Sequence, residues 1–120
     1  AGNPRDEAAH RQRDIENYWE GYDDGYAFTA PVDTFAPNGM GIYGISGNVY
    51  EWCGDWYSDD YYEKSPAENP TGPETGEMHA CRDAGFGCAI RQEVVTSRGK
   101  GYPYLAFSWG GFRIARSLSP

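Results

Sequence analysis

The feature that most constrains this chain is a glycine-dense run ending in an aromatic segment, Ala36-Pro37-Asn38-Gly39-Met40-Gly41-Ile42-Tyr43-Gly44-Ile45-Ser46-Gly47-Asn48-Val49-Tyr50-Glu51-Trp52-Cys53. Four glycines fall within the nine positions from Gly39 to Gly47. That density marks a backbone that must turn where a Cβ would clash. Val49-Tyr50-Glu51-Trp52 then has the β-branched and aromatic content of a strand. A tight loop thus delivers a short strand with alternating side chains, Tyr50 and Trp52 on one face and Val49, Glu51 and Cys53 on the other.

At 120 residues the chain is one domain, residues 1–120, in the usual size range for a single core. Aromatic residues make 16% of it and leucine occurs only at Leu105 and Leu118, so the expected core is built of large rings. Glycine and proline together make a fifth of the chain, which points to a loop-rich fold rather than disorder. The net charge of −8 argues against nucleic-acid or anionic-membrane binding, since both need a basic surface. No run approaches the roughly 20 apolar residues of a membrane helix, and no basic-then-apolar leader is present in this chain, so the compartment stays open. Three cysteines, Cys53, Cys81 and Cys88, leave at least one thiol free or paired between chains.

Residues 1–20 read as the best helix, with Asn3 as cap, Pro4 in the first turn, Asp6 and Glu7 at the positive end of the dipole, and Gly21 as the stop. Asp23-Asp24-Gly25 is turn chemistry. The polar, proline-punctuated stretch from Tyr57 to Gly76 reads as a surface loop. Strands are expected from Met78 onward, around Val94-Val95-Thr96 and over Gly111 to Ser117. Between those two lies a loop, 99–110, with four rings in the eight residues from Tyr102 to Trp109.

In order along the chain, Gly21-Tyr22-Asp23-Asp24-Gly25-Tyr26-Ala27-Phe28-Thr29-Ala30-Pro31-Val32, Pro37-Asn38, Gly41-Ile42-Tyr43, Gly47-Asn48-Val49-Tyr50-Glu51-Trp52-Cys53, Asp55-Trp56-Tyr57, Asn69-Pro70-Thr71-Gly72-Pro73 and Gly111-Phe112-Arg113-Ile114-Ala115-Arg116 form a set of motifs. Together they resemble the formylglycine-generating enzyme (sulfatase-modifying factor) family. The resemblance covers the C-terminal half of that family's domain, so the chain reads as a truncated or minimal member. It implies an α+β, C-type-lectin-like fold of short strands, one or two helices and much irregular structure.

Members that generate formylglycine use oxygen and copper(I) held by two cysteines, and the resemblance implies that Cys88 matches the first of these. The second position is Glu93, and a carboxylate is a poor partner for soft Cu(I), so copper is not expected. Asp83 and Ala84 replace two glycines of the family's motif there, which carries a cost if the backbone needs positive φ. A sulfur–carbon-forming branch needs a multi-histidine iron site, and His10 and His79 alone do not make one. The family also carries calcium. Gly47, Val49 and Glu51 match one such site through two carbonyls and a carboxylate, and Asp24 with the Tyr26 carbonyl matches part of a second. Gly44 cannot supply the side-chain ligand found at its position. The structural alternatives are a Glu51 ion pair with Arg113 or Arg116 and an ordinary Asp-Gly turn at Asp24.

The expected function is that of a non-catalytic domain presenting a binding surface from residues 82–110 to a protein or small-molecule ligand. Arg82, Phe86, Tyr102, Tyr104, Phe107 and Trp109 are its contact residues, because tyrosine and tryptophan give rigid contact area at low entropic cost. Two alternatives stand beside it. One is a copper-dependent oxidoreductase generating formylglycine through Cys88. The other is a ligand-binding protein of the diversity-generating-retroelement kind, in which the segment before Gly-Phe-Arg varies. A homodimer would cover apolar surface left by the missing N-terminal half.

Overall fold

The computed structural model of the chain describes residues 4–88 and 95–116. Six elements occur in it: α1 (Glu7–Arg13), β1 (Tyr50–Trp56), α2 (Tyr61–Lys64), β2 (His79–Arg82), β3 (Arg98–Gly101) and β4 (Gly110–Phe112). The four strands form one sheet in the order β3-β2-β1-β4. β1 runs antiparallel to β2 with Trp52 opposite Cys81, β2 runs antiparallel to β3, and β4 lies parallel to β1 with Glu51 opposite Gly111. A register shift between Trp52 and Trp56 bends β1 and carries the chain into the 57–76 segment, which is mostly loop with α2 inside it. Among the described residues no helix is long and apolar enough to cross a membrane.

The helix is shorter than the sequence suggests. Asp6, not Asn3, is its cap, accepting from the Ala9 amide at 3.0 Å, and Asn3 lies outside the described residues. The helix ends at Arg13, before the expected stop at Gly21, because Asp14 takes the left-handed conformation at φ +49° and its N–H bonds the His10 carbonyl. Residues 14–49 are then held by backbone bonds, such as those joining Trp19 to Arg5 and Glu7 to Tyr22, and by side-chain-to-backbone bonds. Asn48, at φ +72°, clamps Ala30 from both sides, accepting from its amide at 2.8 Å and donating to its carbonyl at 3.1 Å. In the glycine run, Gly41, Gly44 and Gly47 have φ of +77°, +55° and +84°. Gly41 has open space around it, so the requirement there is backbone conformation rather than room for a Cβ.

Three expectations about strands and core are corrected. β3 is built on Arg98-Gly99-Lys100-Gly101 instead of the β-branched run; Val95 and Thr96 sit in a turn, and Val94 lies outside the described residues. β4 stops at Phe112, short of Ser117. Among the described residues the buried apolar ones are Pro4, Ala8, Ala9, Ala27, Ala30, Ala80, Cys81, Ala84 and Phe86, so the centre is mostly alanine and most rings lie outside it. The rings reach the sheet where glycines let them: a Cβ on Gly101 would come within 2.6 Å of the Trp52 ring, and one on Gly85 within 2.8 Å of Trp109 Cβ.

Candidate functional site

β1 sends Tyr50 and Trp52 to the face that β3 leaves open with Gly99 and Gly101. On that face a cleft of about 240 Å³ is lined by Tyr50, Cys81, Gly99, Lys100, Leu105, Phe107 and Trp109. The Phe107 ring packs on Trp52 at 5.8 Å and on Trp109 at 5.6 Å, and Tyr102 stacks on Tyr104 at 5.3 Å. Tyr104 is 77% exposed and Leu105, Trp109 and Tyr102 are partly so. Of the expected contact residues, Phe107 and Trp109 line this cleft, while Tyr102 and Tyr104 stack on each other.

Phe86 and Arg82 are placed differently. Phe86 is buried at 4% exposure, edge-on to Phe28 with the Arg13 guanidinium 5.1 Å from its ring, so it is a core residue and does not face a ligand. Arg82 donates to the Val95 and Thr96 carbonyls at 2.8 and 3.4 Å, which ties its guanidinium to the chain's own backbone.

Cys88 is half-buried, with its Sγ 3.4 Å from the Tyr50 hydroxyl. Burial and the neighbouring Cys88 push the Tyr50 hydroxyl up to about 12, so it stays protonated at neutral pH. Cys81, the other thiol bordering Tyr50, is buried, and burial together with Cys53 pushes it up to about 11. All three cysteines are unpaired. The second position implied by the resemblance, Glu93, lies outside the described residues. Tyr50 was not anticipated as a partner of Cys88; the pairing spans 38 residues and no local pattern signals it.

The carboxylates weighed as calcium ligands lie at two separate places. Glu51 is held by Arg113, whose Nη2 and Nε donate to it at 2.5 and 3.1 Å while Nη2 also donates to the Gly44 carbonyl at 3.0 Å. This is the ion pair weighed against calcium from the sequence, and it lines a cleft of about 640 Å³ together with Gly47 and Val49. Gly47 accepts from the Val49 amide at 3.0 Å, and Val49 packs against Gly111. Asp83 lies beside this cluster, buried at 5% exposure with neither carboxylate oxygen hydrogen-bonded and φ at +68°. The positive φ anticipated for the replaced glycines holds for Asp83, and Ala84 is not in that conformation. At the second place, Asp24 Oδ1 accepts from the Tyr26 amide at 2.8 Å, and the Asp24 amide donates to Asp6 Oδ2 at 2.6 Å. Asp24 Oδ2 is buried without a partner, and burial with the charge of Asp6 pushes the carboxyl up to about 6. Among the described residues no three or more His, Cys, Asp or Glu side chains are grouped to hold a metal, so a cation here would rely on main-chain oxygens as well.

Residues 2–118 match the Sulfatase-modifying factor enzyme 1-like domain family. The chain is 44% identical over 122 residues to the formylglycine-generating enzyme of Thermomonospora curvata, covering 91% of this chain and 40% of that protein. It is 38% identical to the mouse (Mus musculus) formylglycine-generating enzyme, with 87% and 30% covered, and 37% identical to a serine/threonine-protein kinase pkn1 of Chlamydia pneumoniae, with 78% and 15% covered. This chain therefore spans well under half the length of these relatives. Its fold superposes on PvdO from Pseudomonas aeruginosa with a TM-score of 0.65 at 26% identity, covering 93% of this chain and 50% of that one. It also superposes on Treponema denticola variable protein 1 with a TM-score of 0.61 at 28% identity, covering 72% and 31%. The small mixed sheet with few helices agrees with both neighbours and with the C-type-lectin-like class. From its motifs, its sheet and these matches, the chain belongs to the sulfatase-modifying factor family, the family of the formylglycine-generating enzymes.

Proposed function

We propose that this domain is a non-catalytic member of its family that binds a polypeptide partner through the aromatic face formed by Tyr102, Tyr104, Leu105, Phe107 and Trp109. The observation that carries the reading is the Phe107–Trp109 stack lining a glycine-floored cleft, together with the Tyr102–Tyr104 stack, whose Tyr104 is largely exposed. Rigid aromatic area of this kind dominates protein-binding hot spots. The thiol chemistry supports the non-catalytic half of the reading. Cu(I) needs soft thiolates, and the position of the family's second thiol is Glu93 in this chain.

The test uses the chain with Cu(I), oxygen and a peptide carrying a sulfatase-type cysteine motif, followed by mass spectrometry. No aldehyde is expected. Aldehyde that forms with the wild-type chain and disappears in Cys88→Ser would establish the oxidoreductase reading in its place.

A bound Ca²⁺ belongs to the same proposal, as a structural ion. The residues fit a hard cation in one respect: carboxylate oxygens at Asp24 and Asp83 are buried without partners. Glu51 and the Gly47 carbonyl would contribute to one site, Asp24 and the Tyr26 carbonyl to the other.

A further inference from the structure

Arg13, the last residue of α1, lays its guanidinium over two rings, with Cζ 5.5 Å from the Phe28 centroid and 5.1 Å from that of Phe86. Its hydrogen bond among the described residues is a long one, from Nη1 to the Ala27 carbonyl at 3.5 Å, so most of its donors are unspent. No carboxylate among the described residues comes within ion-pair distance of it, in a chain of net charge −8. Arg5 is in the same condition: Nη2 donates to the Gly87 carbonyl, Nε is buried without a partner, and no described carboxylate pairs with it. Arg13 reaches the same glycine, its Nη2 3.6 Å from where a Cβ on Gly87 would sit. Two like charges therefore meet at Gly87 with no described carboxylate between them, an arrangement that a bound anion relieves.

The space beside Arg13 suits such an anion. A pocket of about 300 Å³ is lined by Arg13, Phe28, Thr29, Ser108 and Trp109. That is the small end of the range for ligand pockets, and apolar walls with a few convergent polar groups are their usual make-up. Phe28 and Trp109 are 55% and 44% exposed, so each ring keeps uncovered surface. Thr29 and Ser108 add two hydroxyls, and no carboxylate lines the pocket. The cleft at Phe107 is a different space, which shares only Trp109 with this one.

We propose that this pocket binds a carboxylate carried on an aromatic group, with the carboxylate on Arg13 and the ring against Phe28 and Trp109. A planar carboxylate matches the guanidinium fork, whereas a phosphate carries more charge and more oxygens than one arginine and two hydroxyls satisfy. The same chemistry is offered by a small aromatic acid and by the C-terminal residue of a polypeptide. The inference goes beyond the partner surface proposed above and stands without it, since Arg13, Phe28 and Thr29 are not part of that surface.

The experiment is isothermal titration of the chain with N-acetylphenylalanine. Two probes accompany it: N-acetylphenylalanine amide, which keeps the ring and loses the charge, and acetate, which keeps the charge and loses the ring. The acid should bind with a dissociation constant on the order of 0.1–1 mM, typical of so small a ligand, and the other two at least tenfold more weakly. Arg13→Gln should weaken the acid at least tenfold. So should Thr29→Trp, which fills the pocket from an exposed position and leaves Arg13 in place; it carries the test if circular dichroism shows that Arg13→Gln has not folded. Equal affinity for acid and amide, affinity unchanged in the folded variants, or no heat from the acid at millimolar concentration would each overturn the proposal. An octapeptide ending in phenylalanine separates the sources. Binding that is lost on amidating its C-terminus extends the site to chain ends, and binding of the free acid alone assigns it to a small molecule.

Discussion

Desolvation makes the Asp83 carboxyl easier to protonate in the folded chain than in the unfolded one, with a folded value of about 6 against an ordinary 3.8. The sign of the consequence follows from linkage. Between those two values the folded state binds more proton than the unfolded state, so this group's contribution to stability is lost as pH rises. In chelator, the wild-type melting temperature should fall relative to that of Asp83→Asn between about pH 4 and pH 7. After allowance for screening by nearby solvent, the difference is on the order of 1–2 kcal/mol. Parallel pH profiles for the two proteins would contradict the burial argument. Asp83 stood out because it sits where the family resemblance places glycine, and Glu51 was correctly paired with Arg113 as one of two readings. Tyr50 beside Cys88, and the Arg82 bonds to Val95 and Thr96, depend on how separate segments meet, which no local pattern contains.

Among the elements, the sheet face is decided by rings seated on glycines. A Cβ on Gly101 of β3 would lie 2.6 Å from Trp52 Cη2, and one on Gly85 would lie 2.8 Å from Trp109 Cβ. Gly101→Ala and Gly85→Ala should each destabilise by about 1–3 kcal/mol through overpacking, read as a lower denaturation midpoint in urea. Gly39→Ala is the control: nothing lies within 4 Å of its added Cβ and its φ is not left-handed, so its midpoint should stay near the wild-type value. Equal shifts for all three would mean that conformational freedom, rather than ring seating, is what these glycines supply. The same feature explains which elements were legible. β1 announced itself through β-branched and aromatic residues with correct alternation. β3 did not, because Arg98-Gly99-Lys100-Gly101 has little strand propensity and pairs only because β2 and the rings above it leave that slot. The helix was overextended because amphipathic residues continue past Arg13, while the left-handed turn at Asp14, which ends it, has no proline or glycine to mark it.

For the whole molecule, exposed apolar side chains of the described residues gather at the β4 end of the sheet. β4 is three residues long and ends the strand order, and Val32, Phe112 and Ile114, exposed at 80%, 75% and 85%, line the cleft beside it. An apolar edge that no strand among the described residues covers is a template for association. A net charge of −8 opposes bringing two copies together, and salt screens that repulsion. These two terms predict a homodimer whose population rises with ionic strength. Sedimentation velocity of the chain at low and high salt should show a monomer giving way to a dimer, and the double substitution Phe112→Glu with Ile114→Glu should keep it monomeric in both. Two further results give the idea its edge. A dimer that weakens with salt would mean that charge pairing drives association, and a chain monomeric at every salt concentration would mean that this apolar edge is tolerated in water without a second copy. The first outcome would move the interface to the charged surface, and the second would remove it.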